Sequence, residues 1–167
     1  TAIVFERRFS EVASANVVSR GMPTCASHLQ GEQVMLNAGQ WCGFATRADF
    51  IARANAPFQL VQFISGQETT ESGGIFGRGP DHAGDPALTT VPPTEQYRDE
   101  YTFLTPTSYH AQYVNVIHPP GAIISLDGVG INMAEMGSAQ LPSLVADNLP
   151  IGDGQDWALS IVRINEG

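Results

Sequence analysis

Four aspartates are the residues of this chain best suited by type and spacing to bind a metal ion. Asp81 and Asp85 flank a glycine-containing turn, and Asp153 and Asp156 enclose a second acidic turn. Hard cations such as calcium are bound by carboxylate and carbonyl oxygens that cluster on loops of this kind. The chain has no EF-hand pattern, and Asp-Gly pairs often serve only as turns. We therefore expect either no cofactor or a calcium ion held by these four residues.

A serine hydrolase is the second kind of chemistry that the residue types suggest. Ser65 and Ser72 each precede a glycine, and His82 and Asp85 follow in the same stretch. The Gly-x-Ser-x-Gly turn that exposes a serine nucleophile is absent, and closeness in sequence does not give the geometry of a triad. The histidines also lack the spacing of a zinc site. We predict that the chain is not an enzyme, and we keep a hydrolase using the Ser65–Asp85 loop as an alternative.

Length and charge narrow the class of protein. The chain has 167 residues, and we predict a single β-rich domain, or a fragment of one, over residues 1–167, with a possible sub-boundary near 84–106. Its 17 acidic residues outnumber 8 basic ones, all arginine, and the formal net charge is −9. Such a chain repels phosphate backbones, so we predict no nucleic-acid partner. No apolar run approaches the ~20 residues of a membrane-spanning helix, so we predict no membrane span.

Short β-favouring runs separated by turn residues organise most of the sequence. The 17 glycines and 11 prolines favour turns over long helices. We predict an all-β fold, an antiparallel β-sandwich built of hairpins with long loops and little helix. The most apolar run, Phe58–Ile64, is predicted to be a central strand, with Leu60 and Val61 among its most buried residues.

Turn residues predict how some of these strands pair. Asn37–Gln40 is predicted to form a tight turn, so that Trp41–Ala45 pairs back onto the strand before it. Ala111–Ile117 and Ala122–Leu126 are predicted to form a hairpin, and Asp127-Gly128 is predicted to be a second tight turn.

The last strong β-favouring run is Trp157–Ile164. Because the sequence stops just after it, we expect this strand to leave unpaired backbone groups and an uncovered apolar face. A homo-oligomer, or strand complementation by another chain, would supply the missing partner. The alternative is a domain that closes without a partner and frays at its end.

The least generic stretch of the sequence resembles a known family. It contains, in order, Gly84-Asp85-Pro86, Pro92-Pro93, Glu95-Gln96-Tyr97-Arg98 and Tyr101–Pro106. This series resembles the signature of the IgGFc-binding-protein N-terminal-like domain, and the similarity extends over Val34–Val129. The signature contains no catalytic residues that could be transferred to this chain.

The resemblance implies a location and a kind of function. Domains of this family occur in large secreted or surface proteins, including bacterial ones. The chain is therefore expected to be a non-enzymatic binding or adhesion module of a secreted or cell-surface protein, with a protein or glycan partner. A structural subunit of an extracellular filament or surface layer is the alternative.

The two cysteines, Cys25 and Cys42, admit two interpretations. Each lies beside a predicted turn or strand, so hairpin geometry could join them, but two buried free thiols would suit a reducing compartment. The resemblance to a secreted family favours the disulfide. Such a bridge would close a short loop and contribute ~3 kcal/mol to stability.

Overall fold

The computed structural model describes residues 1–13, 21–64, 87–105, 112–131, 142–152 and 156–165. The chain divides into two compact units. Unit 1 comprises Thr1–Pro57 and Ala111–Gly167, and unit 2 comprises Phe58–His110. The chain therefore leaves unit 1 once and returns to it. The single domain expected over residues 1–167 stays a prediction.

The first sheet of unit 1 has four antiparallel strands in the order β2-β3-β1-β4. Ile3 on the first strand lies opposite both Val34 and Ala54, so this strand has a partner on each side. The four strands are β1 (Ala2–Phe5), β2 (Leu29–Gln30), β3 (Gln33–Met35) and β4 (Ala52–Ala54).

Aromatic rings fill the core next to this sheet. Side chains of β1 alternate, so Phe5 is buried while Val4 is 41% exposed. A short helix, α1 (Phe9–Val12), brings the Phe9 ring centroid to 5.2 Å from that of Phe5. Tilted and edge-on contacts of this kind suit the charge distribution of aromatic rings. The ring cluster consists of Phe5, Phe9, Phe44 and Phe50.

Cys25 and Cys42 form a disulfide, as predicted. Cys25 begins a 3₁₀ helix (Cys25–His28) and is buried in the aromatic core. Backbone bonds hold the same two segments together, because Cys25 N donates to Gly43 O at 3.0 Å and Gly43 N donates to Pro23 O at 2.8 Å. The disulfide therefore reinforces an existing backbone contact.

The turn at Asn37–Gln40 is confirmed, with Gly39 at a φ of 79°. The predicted pairing of Trp41–Ala45 onto the preceding strand is wrong. Both sides of β3 are occupied, by β2 and β1. The segment after the turn instead forms a parallel bridge between Gly43 and Thr24.

Unit 2 contains an antiparallel pair, β5 (Leu60–Ile64) and β6 (Ala87–Val91). The prediction that Phe58–Ile64 is a buried central strand is wrong. Among the described residues β5 pairs only with β6, and Val61 is 39% exposed. An apolar run indicates burial only when another layer covers it, and composition cannot show which layer is present.

The second sheet of unit 1 has the order β10-β11-β7, so β11 is central. The prediction that the final strand has an unpaired edge is therefore wrong, because β11 has a partner on each side. The predicted hairpin of Ala111–Ile117 with Ala122–Leu126 is also wrong, because β7 pairs with β11 and β8 pairs with β9. The three strands of the second sheet are β7 (Gln112–His118), β10 (Ser143–Ile151) and β11 (Trp157–Asn165). The strands β8 (Ile124–Leu126) and β9 (Val129–Ile131) form a separate two-stranded sheet.

A tight turn joins β8 to β9. Asp127 and Gly128 adopt φ values of 51° and 78°. Two successive positive φ values match the twist of a two-residue hairpin, and Asp-Gly favours this geometry. The turn predicted at these two residues is confirmed.

A second apolar cluster lies against β10 and β11. Alternate residues of β11, including Ala158 and Val162, are buried, while those between them are half-buried. The buried members of the cluster are Ile131, Leu144 and Val162, and Val116, Leu126 and Ile164 pack against them. The first and second sheets of unit 1 thus each have an apolar cluster, and the predicted all-β, antiparallel fold class is confirmed.

Candidate interaction surface

The clearest apolar surface among the described residues is one face of the β5–β6 pair. Phe63 and Leu88 lie directly opposite each other and are 70% and 63% exposed. Val61 points to the same face, because residues two apart on a strand share a side. We call Val61, Phe63 and Leu88 the hairpin face.

A two-stranded pair is marginally stable unless something packs on it. On the opposite side of the hairpin, Ile64 is also 46% exposed. Large contiguous apolar surfaces in secreted or soluble domains mark contacts with other molecules. The hairpin face therefore has the exposure of a contact surface, and not that of a strand in a core.

The segment that follows β6 extends the exposed apolar residues of unit 2. Tyr101 is 64% exposed, and Leu104 is 96% exposed. Tyr101 is held in place by its hydroxyl, which accepts a hydrogen bond from Arg98 N at 2.8 Å. Aromatic side chains with one polar end are enriched at protein interfaces. The segment thus presents exposed apolar side chains, and the position of Tyr101 is held by a hydrogen bond to the backbone.

Tyr97 lies half-buried in the same segment. Burial raises the pKa of its hydroxyl above 10.0, and the neighbouring Tyr101 raises this pKa further. Both effects disfavour the charged phenolate. The phenolate of Tyr97 therefore forms only at a higher pH than that of an ordinary tyrosine.

Acidic side chains accompany this apolar surface. Glu95, Asp99 and Glu100 are exposed beside the anchoring residues. Over Phe58–His110 the sequence has seven acidic residues and two arginines, so much of the negative charge of the chain lies in unit 2. Charge of one sign around an apolar patch selects partners with the opposite sign.

The signature residues fall only partly within the described chain. Gly84, Asp85 and Pro86 lie outside the described residues. Pro92 and Pro93 follow β6, and a 3₁₀ helix (Thr94–Gln96) comes next. Proline ends the ladder because it has no N–H to donate. The remaining signature residues, Glu95, Gln96, Tyr97 and Arg98, therefore belong to unit 2 and adjoin the hairpin.

Three of the four predicted metal ligands, Asp81, Asp85 and Asp153, lie outside the described residues. The fourth, Asp156, has a carboxylate oxygen 3.1 Å from Arg53 Nη2, and the same nitrogen lies 3.1 Å from Glu6 Oε1. Within the described ranges, no group of three or more metal-binding side chains is assembled. Calcium binding stays a prediction, as does the hydrolase loop Ser65–Asp85, which also lies outside these ranges.

The sequence analysis did not identify a polar cluster in the second sheet of unit 1. There Ser160 Oγ lies 2.8 Å from His118 Nε2 and 2.6 Å from Asp147 Oδ1. The residue types are those of a catalytic triad, but Ser160 is fully buried and cannot reach a substrate. No local pattern marked Ser160 as inward-facing, because its neighbours on both faces of the strand are apolar, and its two partners lie on other strands.

No described helix is both long enough and apolar enough to cross a membrane.

Comparison with known proteins places the chain in a family. No curated protein and no solved structure gave a significant match. The profile of the family described as IgGFc binding protein matches residues 13–155, which is well over half of the chain. The match includes β2 to β10, and with them the hairpin face and the whole signature segment. The chain therefore belongs to the IgGFc binding protein family.

Proposed function

We propose that this chain is a protein-binding module of a secreted or cell-surface protein, and that the hairpin face of unit 2 contacts its partner. The observation that carries this proposal is the exposure of Phe63 and Leu88 as a cross-strand pair in a family described as binding proteins. Exposed aromatic residues commonly supply the largest share of binding energy at an interface.

The buried disulfide supports an extracellular location. Disulfides persist in oxidising compartments and are rare in the cytosol of most organisms. The described residues contribute Cys25 and Cys42 to a bridge and contain no free cysteine. A secreted or surface module is consistent with this chemistry, and adhesion is the role that the module would serve there.

The family description names the Fc region of immunoglobulin G as the first partner to test. Purified chain is passed over immobilised Fc fragment, and affinity is measured by surface plasmon resonance. Phe63→Ser and Leu88→Ser are each expected to weaken binding at least about tenfold, which corresponds to ~1.4 kcal/mol. Ile123→Ser is the matched control, because Ile123 is 91% exposed but belongs to unit 1.

This experiment tests the identity of the partner and the location of the contact surface independently. If native chain does not bind Fc, the Fc partner is rejected, and the same variants are tested against glycan and extracellular-protein arrays. If native chain binds and both hairpin variants bind equally well, the hairpin face is not the contact surface. Circular dichroism of each variant confirms that the sheet content is retained.

A further inference from the structure

A polar site in the second sheet, buried at Ser160 and His118 and partly exposed at Asp147, has hydrogen-bond contacts from which its protons can be counted. Ser160 Oγ lies 2.8 Å from His118 Nε2, 2.6 Å from Asp147 Oδ1 and 3.1 Å from Asn148 N. His118 Nδ1 lies 2.8 Å from Pro119 O. Ser160 is fully buried, and His118 is 6% exposed. We call His118, Ser160 and Asp147 the serine-bridged site.

A β-bulge brings these residues together. Ala146 pairs with Ile161, and Leu149 pairs with Leu159. Two residues of β10, Asp147 and Asn148, therefore lie opposite the single residue Ser160. Such a two-to-one arrangement leaves a backbone N–H outside the ladder. The serine hydroxyl accepts that N–H from Asn148.

The bulge is also connected to the turn that follows β7. Asn148 adopts a φ of 54°, a left-handed conformation that asparagine tolerates better than most residues. Its side-chain Oδ1 accepts a hydrogen bond from Gly121 N at 3.0 Å. Asn148 thus connects the serine-bridged site to the turn, because it bonds to both Ser160 and Gly121.

Donors and acceptors can be counted at this site. A serine hydroxyl donates one hydrogen bond and accepts up to two, and a carbonyl oxygen only accepts. Pro119 O therefore requires a proton on His118 Nδ1. Asn148 N donates to Ser160 Oγ, which leaves one donating and one accepting role for Ser160 towards His118 and Asp147.

Two arrangements satisfy these roles. In the first, a doubly protonated His118 donates to Ser160, and Ser160 donates to an ionised Asp147. In the second, Ser160 donates to Nε2 of a neutral His118, and a protonated Asp147 donates to Ser160. Both arrangements contain the same number of protons, which is one more than a neutral His118 beside an ionised Asp147.

We propose that the serine-bridged site holds this additional proton in the folded chain and that its loss weakens the contact between bulge and turn. Among the described contacts of the site, β10 contributes one ionisable side chain, Asp147. β11 contributes the neutral Ser160, and the turn contributes backbone groups of Pro119 and Gly121.

The proposal has a defined sign with pH. In the unfolded chain, a histidine is neutral above about pH 6.5 and an aspartate is ionised. The folded chain then binds one more proton than the unfolded chain, so unfolding releases it and stability falls as pH rises. The contact between the bulge and the turn therefore depends on this proton and weakens in alkaline solution.

Nuclear magnetic resonance of the full 167-residue chain at pH 7.5 tests the proton count directly. Ring nitrogen shifts of His118 and the carboxyl carbon shift of Asp147 are recorded together. A doubly protonated ring with an ionised carboxylate, or a singly protonated ring with a protonated carboxyl, supports the proposal. A singly protonated ring together with an ionised Asp147 would overturn it.

A thermodynamic measurement gives an independent readout. The unfolding equilibrium constant is measured at several values above pH 6.5 for native chain, His118→Gln and the matched control His28→Gln. Between about pH 6.5 and the pH at which the folded site releases its proton, the additional proton increases the unfolding constant by about tenfold per pH unit in native chain and in the control, relative to His118→Gln. An identical pH slope in all three proteins would contradict the proposal. If His118→Gln does not fold, the resonance experiment on native chain decides alone.

Discussion

Phe63 on β5 and Leu88 on β6 lie directly opposite each other, yet both side chains are mostly exposed to solvent. Apolar cross-strand pairs of this kind stabilise a sheet modestly, by about 0.2–1 kcal/mol. Most of the apolar area of the pair remains in contact with water. The exposure of Phe63 and Leu88 predicts that they contribute mainly to binding a partner and only a little to the stability of the folded chain.

We expect Phe63→Ala and Leu88→Ala each to lower the free energy of unfolding by less than about 1.5 kcal/mol, with a coupling of about 0.2–1 kcal/mol in the double variant. Chemical denaturation of the native chain, both single variants and the double variant gives these values. A loss of several kcal/mol in either single variant would show that the face is covered in the folded chain.

Leu144 is buried, in contrast to the exposed Phe63 and Leu88, and its substitution should affect stability strongly. It is 1% exposed in the second apolar cluster, whereas Leu149 on the same strand is 40% exposed. Leu144→Ala should lower the free energy of unfolding by about 2–5 kcal/mol, because it removes buried contacts and leaves a cavity. Leu149→Ala is the control and should cost much less. Equal losses from the two variants would contradict the placement of this cluster.

The disulfide gives a third prediction. Cys25 and Cys42 are 17 residues apart, and a loop of about that size corresponds to ~3 kcal/mol of stabilisation in the chain-entropy model. Replacing both cysteines with alanine should lower the free energy of unfolding by about that amount. Reductant should lower the stability of the native chain by a similar amount and leave the double variant unchanged. A native chain that is insensitive to reductant while its thiols become accessible would argue against this contribution.

Local chemistry made several features predictable from the sequence. Asp127-Gly128 has the residues that a two-residue turn requires, and Trp157–Ile164 has the β-favouring residues of a strand. Cys25 and Cys42 could be paired because the resemblance indicated an oxidising compartment. Each of these inferences depends on a few neighbouring residues or on the family signature.

Features that depend on distant pairing could not be predicted. Phe58–Ile64 is as apolar as a core strand, and only the absence of a described covering layer distinguishes it. The hairpin predicted around Pro120 failed because β7 pairs with β11, about 40 residues away in sequence. The serine-bridged site depends on a bulge that shifts the register between β10 and β11, and no local signal marks that shift.

Tyr97 gives a prediction for alkaline pH. An unfolded tyrosine loses its proton near pH 10, and burial together with Tyr101 raises the pKa of folded Tyr97 above that value. The stability that arises from this difference is complete below about pH 10 and is lost as the pH rises through the folded pKa. Ultraviolet difference spectra should show a late-titrating tyrosine in native chain that is missing in Tyr97→Phe.

A matched variant tests the second cause of this shift. Tyr101→Phe removes the neighbouring phenolate, so the pKa of Tyr97 should move back towards 10.0 without returning to it, because burial is the larger cause. A pKa of Tyr97 unchanged by this substitution would exclude the electrostatic contribution of Tyr101.

The last prediction concerns Gly152, which connects the first and second sheets of unit 1. Gly152 has a φ of 65°, and its carbonyl oxygen accepts a hydrogen bond from Arg7 Nε at 2.9 Å. A Cβ atom added here would collide with the Glu6 carboxylate and would lie 3.3 Å from the Ile51 side chain. Glu6 is not free to move without cost, because it also pairs with Arg53.

Gly128 is the matched control, since it has a similar φ of 78° but open space around the added Cβ. Gly128→Ala should therefore cost only the left-handed backbone strain of about 1–2 kcal/mol. Gly152→Ala should cost this strain and the displacement of Glu6 as well, and the additional loss should shrink when Glu6→Ala is combined with it. Thermal and chemical unfolding measure these differences in native chain, in Gly128→Ala, in Gly152→Ala, in Glu6→Ala and in the double variant of Gly152→Ala and Glu6→Ala. If the two glycine variants lose the same stability, or if Glu6→Ala fails to recover any of the additional loss, the close approach of Glu6 to Gly152 does not contribute to holding the two sheets together.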